Sequence, residues 1–330
     1  MILRSNHFVR CMTVAACALL LRGVTAQGPS APSNHRKSEV SDQAKPAKKP
    51  PPPFAWVNPL PEKHHTALQH ATFRSPSMKV DVGYCILLPP SYAGGDPARR
   101  YPVVYYLHGG RPGSESKSHR LADLLSDAMK GKNPVAESIY VFVNGGPVSH
   151  YNMPDQPAAQ GADVFTQELI PHIDATYRTI AHRDARGLEG FSQGGRGTMR
   201  ISLRHTELFC SAAAGGGGYE TEKRISESGG YENENLKFAQ GDNVWDLAQR
   251  YVDGKHPQVR WIVYVGTDGF NYENNLQYMA YLDSLGIKYQ KVIVPDVDHS
   301  AIRIYDEKAK RIMRFHAANF ARARRASASE

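Results

Sequence analysis

The chain has 330 residues, of which 41% are hydrophobic and 22% charged, and this composition predicts a globular protein rather than a disordered chain. The formal net charge is +8, but much of the excess lies in the flanks, around residues 45–49 and 322–325. No basic stripe interleaved with aromatic residues is present, so the sequence predicts no nucleic-acid partner.

The first 26 residues have the pattern of a signal peptide. Arg4 and Arg10 precede an apolar run over residues 12–21, which is too short to cross a bilayer. Residues 24–26, Val-Thr-Ala, form a small-residue cleavage signal. Cys17 resembles a lipid-attachment site, but it lies inside the apolar run, so secretion or periplasmic export is favoured over a lipoprotein. No integral membrane segment is predicted after signal cleavage.

Residues 27–53 are rich in Pro, Lys, Ser and Ala, a composition that cannot bury a core and predicts a linker. A globular domain follows over residues 54–320, and residues 321–330 are predicted to form a basic, disordered tail. Two cysteines remain after signal cleavage, Cys85 and Cys210, and the sequence leaves open whether they pair.

Apolar and β-branched segments alternate with helical patterns through the domain. The predicted strands are residues 79–88, 101–107, 138–143, 211–214, 260–266 and 289–294, with a short strand before Ser192. The predicted helices are residues 121–129, 162–177, 193–204, 244–253, 272–285 and 301–320. This alternation predicts an α/β fold, a mostly parallel central sheet with helices on both faces, in which active loops gather at the carboxyl ends of strands.

One motif dominates the sequence: Gly190-Phe191-Ser192-Gln193-Gly194, which matches G-x-S-x-G. In this pattern a serine lies on a sharp turn between a strand and a helix, and the flanking glycines relieve crowding at the turn. The serine hydroxyl then stands clear of the sheet, beside the first amides of the helix. Ser192 is therefore the candidate nucleophile.

A serine nucleophile needs a base and an acid that orients the base, in the chain order Ser, Asp or Glu, His. Asp268 follows the strand over residues 260–266, and His299 follows the last strand, so both fit this order. Stabilising an oxyanion takes two amides. One is that of Gln193, and the His108-Gly109-Gly110 loop is a candidate for the second.

With these motifs the chain resembles the putative esterase family of α/β hydrolases, which includes esterase D, feruloyl esterases and enterochelin-esterase-like proteins. The resemblance covers about residues 66–320. It is carried by residues 87–92 (LLPPSY), 101–110 (YPVVYYLHGG), 190–195 (GFSQGG) and 298–300 (DHS). It implies an α/β-hydrolase fold, Ser192 as nucleophile, His299 as base, and the amides of Gln193 and Gly110 for the oxyanion.

The predicted acid departs from the family pattern. Family members often carry G-x-x-D after this strand, and counting from Gly266 that position holds Gly269. Asp268 comes one residue early. Glu273 and Asp296 are alternatives, and an incomplete triad is another.

The predicted function is a secreted serine esterase that hydrolyses a carboxylic ester, with an acyl ester on a carbohydrate as a possible substrate by family analogy. An acyltransferase on the same fold and a non-catalytic binding protein with a degenerate triad are the alternatives. No cofactor is predicted, and no metal site, because His64-His65 has no partner at ligand spacing.

Secondary predictions concern the surroundings of the site. Residues 219–250, with Tyr219, Tyr231 and Trp245, are predicted to form a cap over the substrate cleft, or else a packed insertion. Residues 150–152 are candidates to line the same cleft. Glu189, a carboxylate in a predicted buried strand, is expected to pair with a nearby arginine.

Overall fold

The residues that the structure describes, 53–220 and 239–327 in a computed structural model, are organised around an eight-stranded sheet. Its strands are β1 (Leu68–Arg74), β2 (Asp81–Leu87), β3 (Val103–Leu107), β4 (Ile139–Val143), β5 (Arg186–Phe191), β6 (Ser211–Gly215), β7 (Arg260–Gly266) and β8 (Tyr289–Val294). Their spatial order is β1-β2-β4-β3-β5-β6-β7-β8. The predicted signal peptide, all but the last residue of the predicted linker, and Tyr231 lie outside the described residues.

The pairing within the sheet separates an antiparallel edge from a parallel body. β1 pairs with β2, and β2 with β4, in antiparallel fashion, whereas every pairing from β4 across to β8 is parallel. Each side chain of β3 and β4 is buried, as their uninterrupted apolar sequences predict for strands covered on both faces. The prediction of a mostly parallel α/β sheet is confirmed.

Helices cover both faces of this sheet. They are α1 (Leu121–Met129), α2 (Gly161–Asp163), α3 (Ile170–Thr176), α4 (Gln193–Arg204), α5 (Val244–Asp253), α6 (Tyr272–Ser284) and α7 (Ala301–Ser327). A π-helical segment, Val164–Leu169, joins α2 to α3. One apolar cluster packs α1 and α7 against one face, and two others pack α3, α4, α5 and α6 against the opposite face. None of the helices in the described ranges is both long and apolar enough to cross a bilayer.

The carboxyl-terminal segment differs from its prediction. Residues 321–327, predicted as disordered tail, continue helix α7 as far as Ser327. Ala323 is buried in the core, and the Ser327 hydroxyl donates a hydrogen bond to the Asp184 carboxylate. The prediction counted the basic residues of this segment and missed the apolar side of the helix that carries them. Cys85 and Cys210 are buried and free.

A buried carboxylate, that of Glu115, ties the beginning of the described chain to the sheet. Its oxygens accept hydrogen bonds from Asn58 Nδ2 at 3.0 Å, His70 Nε2 at 2.9 Å and Asn144 Nδ2 at 2.8 Å. Asn58 precedes the first strand, His70 lies in β1, and Asn144 directly follows β4. One side chain therefore joins three separate segments next to the loops at the carboxyl ends of the strands.

Candidate active site

Ser192 lies in the sharp turn that connects β5 to α4. Its φ is 61°, in the left-handed region that residues with a Cβ rarely adopt. The flanking glycines allow the turn to close: a Cβ on Gly190 would lie 2.5 Å from the carbonyl oxygen of Gly194, and a Cβ on Gly194 would lie 1.8 Å from that of Leu107. The Ser192 amide donates to the Gly215 carbonyl at 2.8 Å, which fixes the turn to β6. The G-x-S-x-G segment thus has the geometry that its sequence predicts.

His299 lies in the loop between β8 and α7. Its Nε2 is 2.8 Å from the Ser192 hydroxyl oxygen, although 107 residues separate the two in sequence. The parallel sheet explains the approach, because β5 and β8 end at the same edge and present their loops on the same side. At this distance the Nε2 of a neutral imidazole that carries its proton on Nδ1 accepts a hydrogen bond from the Ser192 hydroxyl.

The surroundings of His299 favour that neutral form. Burial lowers the pKa of His299 from 6.5 to about 4, and the nearby Asp298 carboxylate opposes the change only in part. Asp298 is itself engaged with Arg303, whose Nη1 lies 3.3 Å from Asp298 Oδ1. At neutral pH the imidazole is therefore uncharged and able to act as a base.

The opposite ring nitrogen has a different environment. His299 Nδ1 is buried and has no hydrogen-bond partner. Asp268, predicted to orient the ring, is exposed, and its Oδ1 instead accepts a hydrogen bond from the Thr267 hydroxyl at 3.0 Å. Glu273 and Asp296 are also exposed and do not bond to Nδ1. The structure brings none of the three candidate acids to His299, and the catalytic role of Asp268 stays a prediction without support from this arrangement.

The His108-Gly109-Gly110 loop lies against the serine. A Cβ on Gly109 would be 3.0 Å from Ser192 Cβ, so the backbone of the loop packs directly on the nucleophile. Gly110 has a φ of 68°, and its carbonyl oxygen accepts a hydrogen bond from the Ser149 hydroxyl at 2.6 Å. Gln193 is the first residue of α4, where the amides of a helix point outward along its axis. Gln193 thus directly follows Ser192, and Gly110 follows the glycine that packs on Ser192, while their role toward an oxyanion stays a prediction.

The loop after β4 packs against the His108–Gly110 loop and bonds to its backbone. His150 is buried, and its Nε2 donates to the carbonyl oxygen of His108 at 2.9 Å. Tyr151 is also buried, and the Asn152 side chain accepts the amides of residues 162 and 163. His150 and Asn152 therefore hold loops in place, and the lining of the cleft by residues 150–152 stays a prediction. The hydrogen bond from Ser149 to the Gly110 carbonyl was not predicted, because a serine in a loop has no distinctive sequence pattern.

The prediction for Glu189 near the site also has an outcome. Glu189 is fully buried in β5, and its nearest charged partner is His316 of α7, with Oε2 and Nε2 3.4 Å apart, rather than the expected arginine. Burial raises the pKa of Glu189. An imidazole is shorter than an arginine side chain, and it fits the closed space between the sheet and α7.

A cavity of about 540 Å³ lies on the α6 side of the site. Its walls are formed by aromatic, acidic and amide side chains, namely Tyr219, Glu220, Trp245, Phe270, Glu273, Asn274 and Gln277. Phe270 also contacts His299, with ring centroids 4.2 Å apart, so the cavity adjoins the Ser192–His299 pair. Within the described ranges no cluster of His, Cys, Asp and Glu has the size needed to hold a metal ion.

A mostly parallel sheet with a serine on a strand–helix turn, and a histidine after the last strand, defines the class of the α/β hydrolases. Solved structures of similar fold include a ferulic acid esterase (TM-score 0.62, 22% identity, 76% of this chain and 98% of that chain). Another is the S-formylglutathione hydrolase FrmB from Staphylococcus aureus (TM-score 0.59, 17% identity, 76% of this chain and 99% of that chain). At these identities the likeness establishes the fold.

Within this class, the chain belongs to the putative esterase family, whose model matches residues 75–277. Esterase Rv1288 of Mycobacterium tuberculosis is 31% identical over 155 residues, which are 46% of this chain and 32% of that protein. An endo-1,4-beta-xylanase/feruloyl esterase of Xylanibacter ruminicola is 29% identical over 156 residues, 44% of this chain and 21% of that protein. The chain therefore aligns with about a third or less of the length of these curated relatives.

Proposed function

We propose that this protein is a serine hydrolase of carboxylic esters. The observation that carries the proposal is the 2.8 Å contact between His299 Nε2 and the Ser192 hydroxyl, at a turn packed against the His108–Gly110 loop. Membership of the putative esterase family supports the same activity.

In the proposed reaction the Ser192 oxygen attacks the ester carbonyl carbon while His299 Nε2 takes the hydroxyl proton. The negative charge on the carbonyl oxygen is stabilised by the amides of Gln193 and Gly110. The carbon–oxygen bond to the alcohol then breaks, and His299 returns the proton to the departing alkoxide. Water attacks the acyl-enzyme in the second half, again through His299, which releases the carboxylic acid and restores the Ser192 hydroxyl.

We propose an acyl ester on a carbohydrate as the substrate class. The support comes from similar proteins, since one relative is named an endo-1,4-beta-xylanase/feruloyl esterase and one structure of the same fold is a ferulic acid esterase. The aromatic and polar cavity that adjoins His299 offers stacking surfaces and hydrogen-bonding groups suited to such a molecule.

The proposal is tested with p-nitrophenyl acetate and a fluorophosphonate probe, with Ser192→Ala as the control. We expect release of p-nitrophenol and labelling of Ser192 by the probe, both abolished in the control. Labelling without hydrolysis, with acyl transfer to an added alcohol, would instead indicate an acyltransferase.

A non-catalytic binding protein is the second candidate, and the unpartnered Nδ1 of His299 favours it, because a serine hydrolase normally has a carboxylate there. Absence of both labelling and hydrolysis would support this candidate and overturn the esterase proposal.

We also propose export of the chain, with removal of a signal peptide after Ala26. Intact-mass measurement of the protein from a secreting host tests this. A mature chain that begins at Gln27 is expected, and retention of residues 1–26 would refute the proposal.

A further inference from the structure

The His299 imidazole contacts two phenylalanine rings. Phe191, which precedes the nucleophile, is buried, and its ring centroid lies 4.8 Å from that of His299. Phe270 lies in the turn between β7 and α6, and its ring centroid lies 4.2 Å from that of His299. Phe270 is nevertheless 76% exposed, whereas Val252, the other exposed large apolar residue of the described ranges, is 38% exposed.

An exposed phenylalanine is by itself unremarkable on a protein surface, so the contact must carry the argument. In a complete triad a carboxylate bonded to Nδ1 fixes the tautomer and the rotation of the imidazole. Here Nδ1 has no hydrogen-bond partner, and rotation about the bond that joins Cβ to an aromatic ring is only weakly restricted by its intrinsic torsion. Apart from the hydrogen bond to Ser192, packing must therefore restrict the ring.

The turn that carries Phe270 is built to hold it in place. The Gly269 amide donates to the Gly266 carbonyl at 3.2 Å, and the Tyr272 amide donates to the Gly269 carbonyl at 2.9 Å. The buried Asn271 side chain donates to the carbonyl oxygen of Gly216. Gly216 in turn lies close to the ring, because a Cβ on it would be 3.5 Å from His299 Cε1. Asn271, the neighbour of Phe270 in the turn, and the imidazole thus both lie against Gly216.

We propose that Phe270 is a positioning residue, whose ring holds the His299 imidazole in the orientation that directs Nε2 to Ser192. It performs by packing the task that a bonded carboxylate performs in a complete triad. The inference rests on the proposed function, since it assigns a role in the reaction of Ser192 and His299.

A different role for Phe270 is contact with the substrate, because its side chain also lines the adjoining cavity. The two roles separate in kinetics. A positioning residue affects the chemical step, and thus kcat, with little effect on KM, whereas loss of a substrate contact raises KM. They also separate by substrate size, because acetyl esters and small fluorophosphonates need little of the cavity.

The test compares Phe270→Ala, Phe270→Leu and Phe270→Tyr with the unaltered protein, with Val252→Ala on α5 as the control. For p-nitrophenyl acetate we expect Phe270→Ala to lower kcat by about tenfold at a KM within about twofold, and to slow fluorophosphonate labelling equally. Phe270→Tyr keeps the ring and should restore activity, while Phe270→Leu should fall between the two. A raised KM at unchanged kcat, or no change at all, would overturn the inference.

A measurement that needs no turnover separates this inference from the proposed function. Nitrogen-15 NMR of the imidazole reports its tautomer and its protonation, even in a protein that proves inactive. Phe270→Ala is expected to increase hydration of the ring and raise the pKa of His299 from about 4 toward 6.5, with Asp298 as the nearby charge in both proteins. An unchanged titration would contradict a positioning role, whether or not Ser192 reacts.

Discussion

The two nitrogens of the His299 ring face two differently built regions. On the Nε2 side, Ser192 and the His108–Gly110 loop are held by close backbone contacts, hydrogen bonds and glycines that admit no side chain. Nδ1 has no hydrogen-bond partner, and the neighbouring turn after β7 carries an exposed Asp268, a glycine at 269 and an exposed Phe270, whose ring contacts the imidazole. Close backbone contacts therefore set the position of Ser192 relative to Nε2. The orientation of the imidazole depends, in our proposal, on packing against aromatic rings.

The largest effect is expected from removing the nucleophile on the Nε2 side. Ser192→Ala should lower kcat toward p-nitrophenyl acetate by about four to six orders of magnitude, because the acyl-enzyme cannot form. Ser284→Ala, at an exposed serine at the end of α6, is the matched control and should leave kcat unchanged. Turnover that survives Ser192→Ala would place the reaction at another residue.

The backbone packing under Ser192 can be disturbed directly. Gly194→Ala places a Cβ 1.8 Å from the Leu107 carbonyl oxygen, a backbone atom that cannot move aside, so we expect the free energy of unfolding to fall by about 3 kcal/mol or more. Urea denaturation measures this change. Gly94→Ala is the control, because nothing lies within 4 Å of a Cβ at that position. Equal midpoints for the two variants would show that the turn is less crowded than the structure indicates.

The buried histidines at and around the site predict that the stability of the fold depends on pH. Burial lowers the pKa values of His299 and His108 to about 4, and that of His150 well below 6.5. Between about pH 4 and 6.5 the unfolded chain binds more protons than the folded one. The stability from these groups is therefore fully present above about pH 6.5 and is lost as the pH falls toward 4. Calorimetry should give a midpoint several degrees lower at pH 4.5 than at pH 7, and equal midpoints would contradict the burial of neutral imidazoles.

The smallest effect is expected from the exposed carboxylates in and after the turn that follows β7. Asp268→Asn should change kcat by less than about threefold, against the roughly four orders of magnitude that loss of a bonded triad acid costs. Glu273→Gln serves as the comparison and should behave alike, since neither side chain bonds to His299. A hundredfold loss in Asp268→Asn alone would mean that its carboxylate reaches Nδ1 during the reaction.

The fold was predictable where burial alone sets the pattern. The uninterrupted apolar runs of β3 and β4 predict central strands, and the structure gives α1 and α5 the bounds predicted for them. β1 was not predicted, because only its first residue and Phe73 are buried and no alternation results. The last turns of α7 were missed because the basic residues there obscured one buried face.

The candidate site divides in the same way. Ser192 and His299 were predictable because a glycine-flanked turn and the order of strands leave marks in the sequence. The group that orients the His299 imidazole was not predictable, because its identity depends on the direction of one side chain in a short turn. Counting from Gly266 places Gly269 at the family position and Asp268 beside it, and no count of residues reveals that Phe270 contacts the ring. An aromatic residue in a loop has no chemical pattern that marks it for such a role.

The hydrogen bonds of Glu115 have a practical consequence for the design of shortened recombinant chains. The family match begins at residue 75, so a chain trimmed to that boundary would lose Asn58 and His70, two of the donors to this buried carboxylate. The Glu115 carboxylate would keep its hydrogen bond to Asn144 but have too few other donors. Water would then enter the interior beside the loops that carry the candidate site. Chains expressed for crystallography or kinetics should therefore begin before Asn58.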